Sequence, residues 1–274
     1  MKNNIQTFSM FVRPDAKSQQ IAEHIRKLNS LSEKPLKETE NGDLIIAIGG
    51  DGTFIDAVTK TNFSKEKVYA GIHTGTLGFL QNLSANELYA LIKYLSYERE
   101  LQTRKVFVPE IRVTFDDEST RKFNSLNEIL ICGKNYSKIS FAEYINDALL
   151  QNVTGNGIII ANSTGDTAYS MNAGGAIDFS EHFQLVCTLE TPIQNASYER
   201  FLTNSIICPK VTIVPSTYRE TLQIIIDGVP KEIEAEKISS ITVSINDSNY
   251  IHKFELDSYS KVSTVRNKIL GYNI

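Results

Sequence analysis

Residues 44–48 read Leu-Ile-Ile-Ala-Ile, an unbroken apolar run that stops at Gly49-Gly50-Asp51-Gly52-Thr53. A strand without polar alternation is covered on both faces, and such strands belong to parallel sheets wrapped by helices. The flanking sequence repeats that pattern. Residues 8–12 form a short apolar strand, after which Ile21, Ala22, Ile25 and Leu28 recur at helical spacing. Phe54, Ile55, Ala57 and Val58 open a second helix, and residues 68–72 form a third strand. Ser84 with Glu87 makes a capping box, behind which Leu88, Leu91 and Leu95 keep helical register. Strand and helix in alternation predict a doubly wound parallel sheet with right-handed crossovers.

Near Glu100 the pattern changes. Ile111, Val113 and Phe115 alternate with Arg112 and Thr114, as in a half-exposed strand, and residues 116–119 make a turn. Further strands are predicted over 126–132, 157–161, 183–187, 211–214, 221–226 and 241–245, with Asp227-Gly228 as a hairpin signal. Val262, Val265 and Ile269 return to helical register, with Gly271 as C-cap. The expected fold class is α/β. An N-terminal doubly wound parallel-sheet domain covers residues 1–100, and a β-rich domain covers 101–255, with 256–274 free to pack back on the first.

Composition narrows the function. At 274 residues, 41% hydrophobic and 22% charged, the chain needs no disulfide or metal to fold. No apolar run approaches the ~20 residues of a membrane helix. The N-terminus lacks a signal-peptide core, so no membrane partner and no export are expected. Cys132, Cys187 and Cys208 are odd in number and form no C-x-x-C pair, which fits reduced thiols in the cytoplasm. A net charge of −4 argues against nucleic acid as a partner. It leaves room for an anion held locally by backbone amides.

The loop after residue 48 is built for such an anion. Glycines at 49, 50 and 52 let the backbone approach a ligand closely. The helix that follows offers free N–H groups and a partial positive charge, a combination suited to phosphate. No G-K-[ST] follows, so this is not a Walker loop. Asp51 is the odd member, because a carboxylate repels phosphate unless it binds a metal or takes a proton. It reads as a general base or metal ligand in phosphoryl transfer, or as a plain helix N-cap. A second loop, Gly71-Ile72-His73-Thr74-Gly75-Thr76-Leu77-Gly78-Phe79, ends the next strand on the same sheet edge. His73 there is either a phosphate contact or a simple loop histidine.

Two polar clusters follow in the β-rich half. Asn127-Glu128 lies inside an apolar strand, where adjacent residues face opposite sides, so one of them points inward. Their oxygens suit ribose hydroxyls; the alternative is a solvated edge strand. Thr154-Gly155-Asn156-Gly157 leads through four apolar residues to Asn162-Ser163-Thr164-Gly165-Asp166-Thr167-Ala168-Tyr169-Ser170-Met171-Asn172-Ala173-Gly174-Gly175. The hydroxyls of Thr164, Thr167 and Ser170 and the face of Tyr169 suit an adenine or ribose. A capped helix start is the alternative.

Strand-GGDGT-helix, then GIHTGTLGF, then Asn-Glu in a strand, then TGDTAYSMNAGGA resemble the NAD kinases in motif, order and spacing over residues 44–228. The resemblance implies phosphorylation of the adenosine ribose 2′-hydroxyl of NAD to NADP. ATP is the usual donor, polyphosphate serves some members, and a divalent cation, Mg²⁺, is needed. It implies NAD bound between an α/β and a β-rich domain, in a homo-oligomer such as a dimer or tetramer. By position, Asp51 is the base, Gly49, Gly50, Gly52 and Thr53 frame the phosphates with His73 beside them, and Asp51 and Gly52 also touch NAD. Asn127 and Glu128 hold NAD sugar hydroxyls. Thr154, Asn156 and Thr164 join the NAD-binding set, and Thr167, Ala168, Tyr169 and Ser170 line the adenosine pocket. Asp227 falls near the nicotinamide side, and Thr191 and Tyr198 lie in a segment that reaches NAD, sometimes across a subunit interface.

Two departures stand out. Asn156 replaces an Asp of the family, which keeps one acceptor, gains donors and loses the charge. Ser163 stands at a Pro position, and Asp166 adds a negative charge expected near the pocket. Two other readings stay open. One is a non-catalytic NAD-binding or sensing protein, motivated by these departures. The other is a kinase that shares the first loop and acts on a lipid or sugar.

Overall fold

The structure, a computed structural model, describes residues 5–75, 78–81, 83–84, 87, 91, 102–180, 182–195, 197, 200–217, 219–255 and 260–271. Two compact units emerge. One joins Met1–Val106 with Tyr250–Ile274, and the other is Phe107–Asn249.

The first unit is a six-stranded sheet. β1 (Thr7–Val12), β2 (Lys37–Glu38), β3 (Leu44–Gly49), β4 (Val68–His73), β5 (Thr103–Phe107) and β18 (Tyr250–Phe254) lie in the order β2-β1-β3-β4-β18-β5. The pairings β1/β2, β1/β3, β3/β4 and β4/β18 are parallel. All six residues of β3 are buried, as an unalternating apolar run requires. α1 (Ala16–Ser30) starts where Asp15 Oδ1 accepts the Ser18 N–H at 3.0 Å, and it buries Ile21, Ala22 and Ile25. α2 (Asp51–Lys60) buries Phe54, Ala57 and Val58. From β1 the chain steps to β2 on one side and then to β3 on the other. The carboxyl ends of β1 and β3 thus meet where the strand order reverses, the place where open α/β sheets bind ligands.

Sequence patterning placed residues 103–107 and 250–254 in the β-rich domain. Here they extend the parallel sheet instead, with His252 and Lys253 opposite Val68 and Tyr69. The units therefore divide at 106/107 and 249/250 rather than at 100/101 and 255/256. Lys253 and His252 are buried in β18 and disguise it as a polar strand. Half of the capping box at Ser84 is in place, its N–H donating to Glu87 Oε2 at 2.6 Å. Leu88 and Leu95 of that expected helix lie outside the described residues. The tail helix forms as α4 (Lys261–Ile269), capped by Ser260.

The second unit packs two antiparallel sheets face to face. One runs β10 (Ala148–Gly155), β9 (Ile139–Ile145), β14 (Lys210–Thr217), β17 (Ile238–Ser244), β6 (Glu110–Phe115) and β7 (Thr120–Asn124), and the other β13 (Ser205–Cys208), β12 (Leu185–Glu190), β11 (Gly157–Ala161), β8 (Glu128–Gly133), β15 (Leu222–Ile226) and β16 (Val229–Pro230). Their inner faces share one core that includes Ile111, Val113, Ile129, Ile131, Ile158, Ile160, Ile213 and Ile241. The site described below rests on β8 (Glu128–Gly133), β11 (Gly157–Ala161), β12 (Leu185–Glu190), β15 (Leu222–Ile226) and β16 (Val229–Pro230). β15 and β16 form the expected hairpin, with Ile226 opposite Val229 and φ of 49° at Asp227 and 78° at Gly228. Two positive φ values in a two-residue loop define the tight turn that Asp-Gly favours. The strand expected over 126–132 begins only at Glu128, and the one over 183–187 lies at Leu185–Glu190. Among the described residues no helix is long and apolar enough to cross a membrane.

Candidate active site

In the first unit the site grows from the end of β3. A Cβ on Gly49 would overlap Thr53 Oγ1 and stand 3.0 Å from Arg13 Cβ, so the loop closes only on glycine. Gly50 is the N-cap of α2 and supplies no side-chain cap, while its carbonyl accepts the Thr53 N–H at 2.9 Å. Asp51 is thus the first helical residue and not the cap. Its carboxylate turns toward the second glycine-rich loop. Oδ2 accepts the Phe79 N–H at 2.8 Å, and Oδ1 accepts the Leu80 N–H at 3.0 Å. A Cβ on Gly78 would overlap that carboxylate, so Gly78 permits the approach. Gln81 Nε2 donates to the Gly50 carbonyl at 2.5 Å and ties the two loops together.

The other wall is open. Cβ atoms on Gly50 or Gly52 would meet nothing within 4 Å. The first amides of α2 have no intrahelical acceptor, and the helix dipole puts partial positive charge beside that space. The arrangement suits an anion. His73 pairs with Gly49 across β3 and β4, and its Nδ1 lies 3.3 Å from the Gly75 carbonyl oxygen. Among the described residues no three His, Cys, Asp or Glu side chains converge as a metal cage. Each Asp51 oxygen accepts one amide and keeps a second lone pair.

Sequence reading missed the basic residues that β18 and α4 bring to this unit. Lys253 is buried and its ammonium donates to Glu255 Oε1 at 2.9 Å; Arg104 Nε lies 3.4 Å from the same oxygen. Burial lowers the Lys253 pKa to about 8 against the opposing pull of Glu255. Lys268 Nζ stands 4.9 Å from the centre of the Phe79 ring. In sequence Lys268 looks like an ordinary cation in a last helical turn, and the buried Lys253 has no local signal at all.

In the second unit Asp227 organises the polar cluster. From its hairpin it accepts the Leu126 and Asn127 N–H groups at 2.8 Å each and the Glu128 N–H at 3.3 Å. These bonds pull Asn127 into a bend, which is why β8 starts late. Burial raises the Asp227 pKa, against the three amides. Asp227 is therefore a bracket for residues 126–128. Asn127 Oδ1 and Glu128 Oε2 are buried without a hydrogen-bond partner. Burial, with the Asp227 charge second, pushes the Glu128 pKa up to about 7. Buried polar atoms left open in this way fit a ligand that brings its own hydroxyls.

The loop after β11 is more closed than its composition suggests. Asn162 Oδ1 accepts the Thr164 and Gly165 N–H groups at 3.1 and 3.0 Å, and Asn162 Nδ2 donates to the Phe107 carbonyl at 2.9 Å. Thr167 Oγ1 lies 3.4 Å from the Thr164 carbonyl oxygen, and Ser170 Oγ lies 2.9 Å from Thr188 Oγ1. The hydroxyls expected to face a ligand at 167 and 170 are thus engaged, one within the loop and one against β12, and both residues are buried. Asp166, expected to charge the pocket, is fully buried beneath the loop, where it accepts the Asp178 N–H at 2.8 Å. Tyr169 opens α3 (Tyr169–Asn172), is 43% exposed, and donates to Glu190 Oε1 at 3.0 Å, an acceptor that sequence reading did not single out. Thr164 and Ala168 are partly exposed beside it.

The remaining residues spread along the same unit. Asn156 Nδ2 donates to the Tyr136 carbonyl at 2.9 Å, a bond that an Asp there would not make. Thr154 Oγ1 lies 2.7 Å from Ser140 Oγ. Thr191 is exposed with φ of 47°, and Tyr198 lies outside the described residues. A separate groove of about 870 Å³, lined by Phe115, Asp116, Arg121, Glu234 and Lys237 among others, includes none of the predicted residues. Among its lining charges, Asp116 pairs with Arg219 and Lys237 with Glu234.

Residues 6–100 match the family model described as ATP-NAD kinase N-terminal domain, and residues 126–252 match ATP-NAD kinase C-terminal domain. The NAD kinase of Finegoldia magna is 31% identical over 225 residues, which cover 80% of this chain and 81% of that protein. The NAD kinase of Lactobacillus delbrueckii subsp. bulgaricus is 32% identical over 225 residues, covering 79% and 82%. A crystal structure of yeast NADH kinase complexed with NADH superposes with a TM-score of 0.81 at 18% identity, over 98% of this chain and 88% of that one. At that identity the likeness speaks for the fold.

Proposed function

This chain belongs to the NAD kinase family and is a phosphotransferase, and from that premise we propose that Asp51 is its general base. Asp51 takes the proton of the adenosine ribose 2′-hydroxyl of NAD while the terminal phosphate of ATP passes to that oxygen. The observation that carries this reading is the pose of Asp51. Two amides from a second loop hold its carboxylate in place, next to a helix start whose Gly50 and Gly52 border open space. Phosphoryl transfer is mostly positioning and electrostatics, so a weak base held in place suffices. The amides of Gly50, Asp51 and Gly52 take the donor phosphates, with Gly49 and Thr53 shaping the turn and His73 beside it.

In the second unit Asn127 and Glu128 take sugar hydroxyls of NAD, supported by their open, buried oxygens. The exposed face of Tyr169, braced by Glu190, stacks a base, with Thr164 and Ala168 around it. Thr167, Ser170 and Asp227 act one step removed, by holding the loop and the bend. Thr154, Asn156, Thr191 and Tyr198 complete the NAD side. The divalent cation, Mg²⁺, enters on the phosphates of ATP. Exposed Leu149, Leu202 and Ile207 favour self-association, which light scattering would read. A cytoplasmic location accords with free Cys187 and Cys208, whose sulfurs lie 3.7 Å apart.

The test is a coupled assay. Protein, NAD, ATP and Mg²⁺ are incubated, and NADP is read with an NADP-specific dehydrogenase. Asp51→Asn should lower turnover about 10²–10⁴-fold with NAD affinity within a few-fold. Wild-type-like turnover in that variant would sink the assignment.

A further inference from the structure

The first loop lacks a lysine of its own, because no G-K-[ST] follows Gly52. In loops that have one, that lysine neutralises the phosphate being transferred. α4 brings a cation to the same place from the far end of the chain. Lys268 Nζ lies over the Phe79 ring at 4.9 Å, and the backbone N–H of Phe79 is the donor to Asp51 Oδ2. Among the described residues its ammonium makes no hydrogen bond or ion pair. Behind it Lys253 and Arg104 both lie on Glu255. Three cations, Lys253, Lys268 and Arg104, therefore face two carboxylates, Asp51 and Glu255. The group keeps one net positive charge. Lys268 lies within electrostatic reach of Asp51, the first residue of α2, whose start the helix dipole also makes positive.

We propose that Lys268 is a phosphate-binding catalytic residue, whose ammonium takes non-bridging oxygens of the phosphoryl group transferred from ATP. The inference rests on the reading of the Asp51 loop as the transfer site. In the step, the 2′-oxygen bonds to the terminal phosphorus as the bond from that phosphorus to its bridging oxygen breaks. ADP leaves with the electron pair, the hydroxyl proton goes to Asp51, and Lys268 keeps its protons throughout. Its role is to offset charge on the moving phosphoryl oxygens. Burial lowers the Lys268 pKa to about 8 while the Asp51 charge opposes that shift, so the ammonium remains the main form near neutral pH. A weakly solvated cation of this kind gains more from an incoming phosphate than an exposed lysine does.

Lys268→Met keeps the aliphatic stem on Phe79 and removes the charge, and Lys268→Arg keeps the charge. With Mg-ATP, the Met variant should lose roughly 10²-fold in kcat/KM for ATP, as for removal of one charge-stabilising donor. Its KM for NAD should stay within about two-fold, and the Arg variant should recover at least about ten-fold of the loss. Met-variant activity within three-fold of wild type overturns the proposal. So does an equal loss toward ATP and NAD, or an equal loss in Met and Arg variants with a falling Tm, because those are the marks of a structural role. ATP binding without turnover, measured by calorimetry, separates this from the base assignment. Lys268→Met should weaken it, whereas Asp51→Asn should not. If Asp51→Asn turns over normally while Lys268→Met loses ATP binding, the base reading fails and the phosphate contact stands.

Discussion

Two glycine-bearing loops end buried strands of this chain, one after β3 and one after β11, and their glycines serve opposite ends. After β3, side chains at Gly50 and Gly52 would enter open space. After β11, a Cβ on Gly165 would overlap the Asn127 carbonyl oxygen, and one on Gly175 would overlap the Ser170 and Thr188 hydroxyls. The first loop keeps room for something not in the chain. The second fills its room with itself. The carboxylates divide the same way. Asp51 accepts two amides and still borders the open wall, while Asp227 accepts three and is consumed as a bracket. A glycine-rich, hydroxyl-rich stretch is therefore evidence of a tight turn first. Ligand contact follows only where the space beside the glycines stays empty.

The strongest way to break this comparison is Asp51→Asn, whose turnover should fall by the full catalytic factor while urea unfolding changes little. Gly165→Ala should act in reverse. Its methyl group has only backbone to push against, so stability should drop by about 1–3 kcal/mol in urea unfolding. A neutral result there would mean that the second loop is not packed as described. Next in size is a pH effect at Glu128. Its pKa rises from 4.5 to about 7 in the folded chain, so folding favours the protonated form. The stability this gives is complete below about pH 4.5, fades as pH rises, and is gone above about pH 7. Glu128→Gln should flatten that slope, by on the order of 2 kcal/mol between pH 4 and pH 8. An unchanged slope would place the titration elsewhere.

Gly52→Ala sharpens the contrast at lower amplitude. Alanine favours the helix, so Tm should hold or rise, by up to about 1 kcal/mol in stability, while KM for ATP rises several-fold. A fall in stability with unchanged KM would give that glycine a packing role. The smallest effect is expected for Asn156→Asp. It removes the donor to the Tyr136 carbonyl, at a cost of about 0.5–1.5 kcal/mol. Differential scanning calorimetry would detect it, and a more stable variant would show that this bond contributes nothing.

Much of the site was legible because its signals are local. Gly-Gly-Asp-Gly-Thr after an apolar run carries strand, turn and helix start within ten residues, and Asp227-Gly228 carries its hairpin in two. Which way a side chain faces is not local. Thr167, Ser170 and Asp166 have the chemistry of ligand contacts, and nothing in the residues themselves says which way they face. The departure at Asp166 lost its meaning once its carboxylate was found under the loop on the Asp178 amide. Lys253 and Lys268 were overlooked for the mirror reason. A lysine in a strand or a last helical turn reads as solvated, and only burial among distant elements makes it otherwise.

By itself the sequence determined the alternation of β1, α1, β3, α2 and β4, the turn after β3 and the hairpin, because backbone preference and apolar periodicity act over a few residues. The tertiary structure alone decided three things. It aimed Asp51 at amides from a loop 28 residues on, and it put Asp227 on the amides of a bend about a hundred residues before it. It also returned β18 and α4 to the first sheet, bringing Lys268 to Phe79. Each depends on which distant backbone fills a vacant edge or meets a buried charge, and that is settled only when the whole core closes.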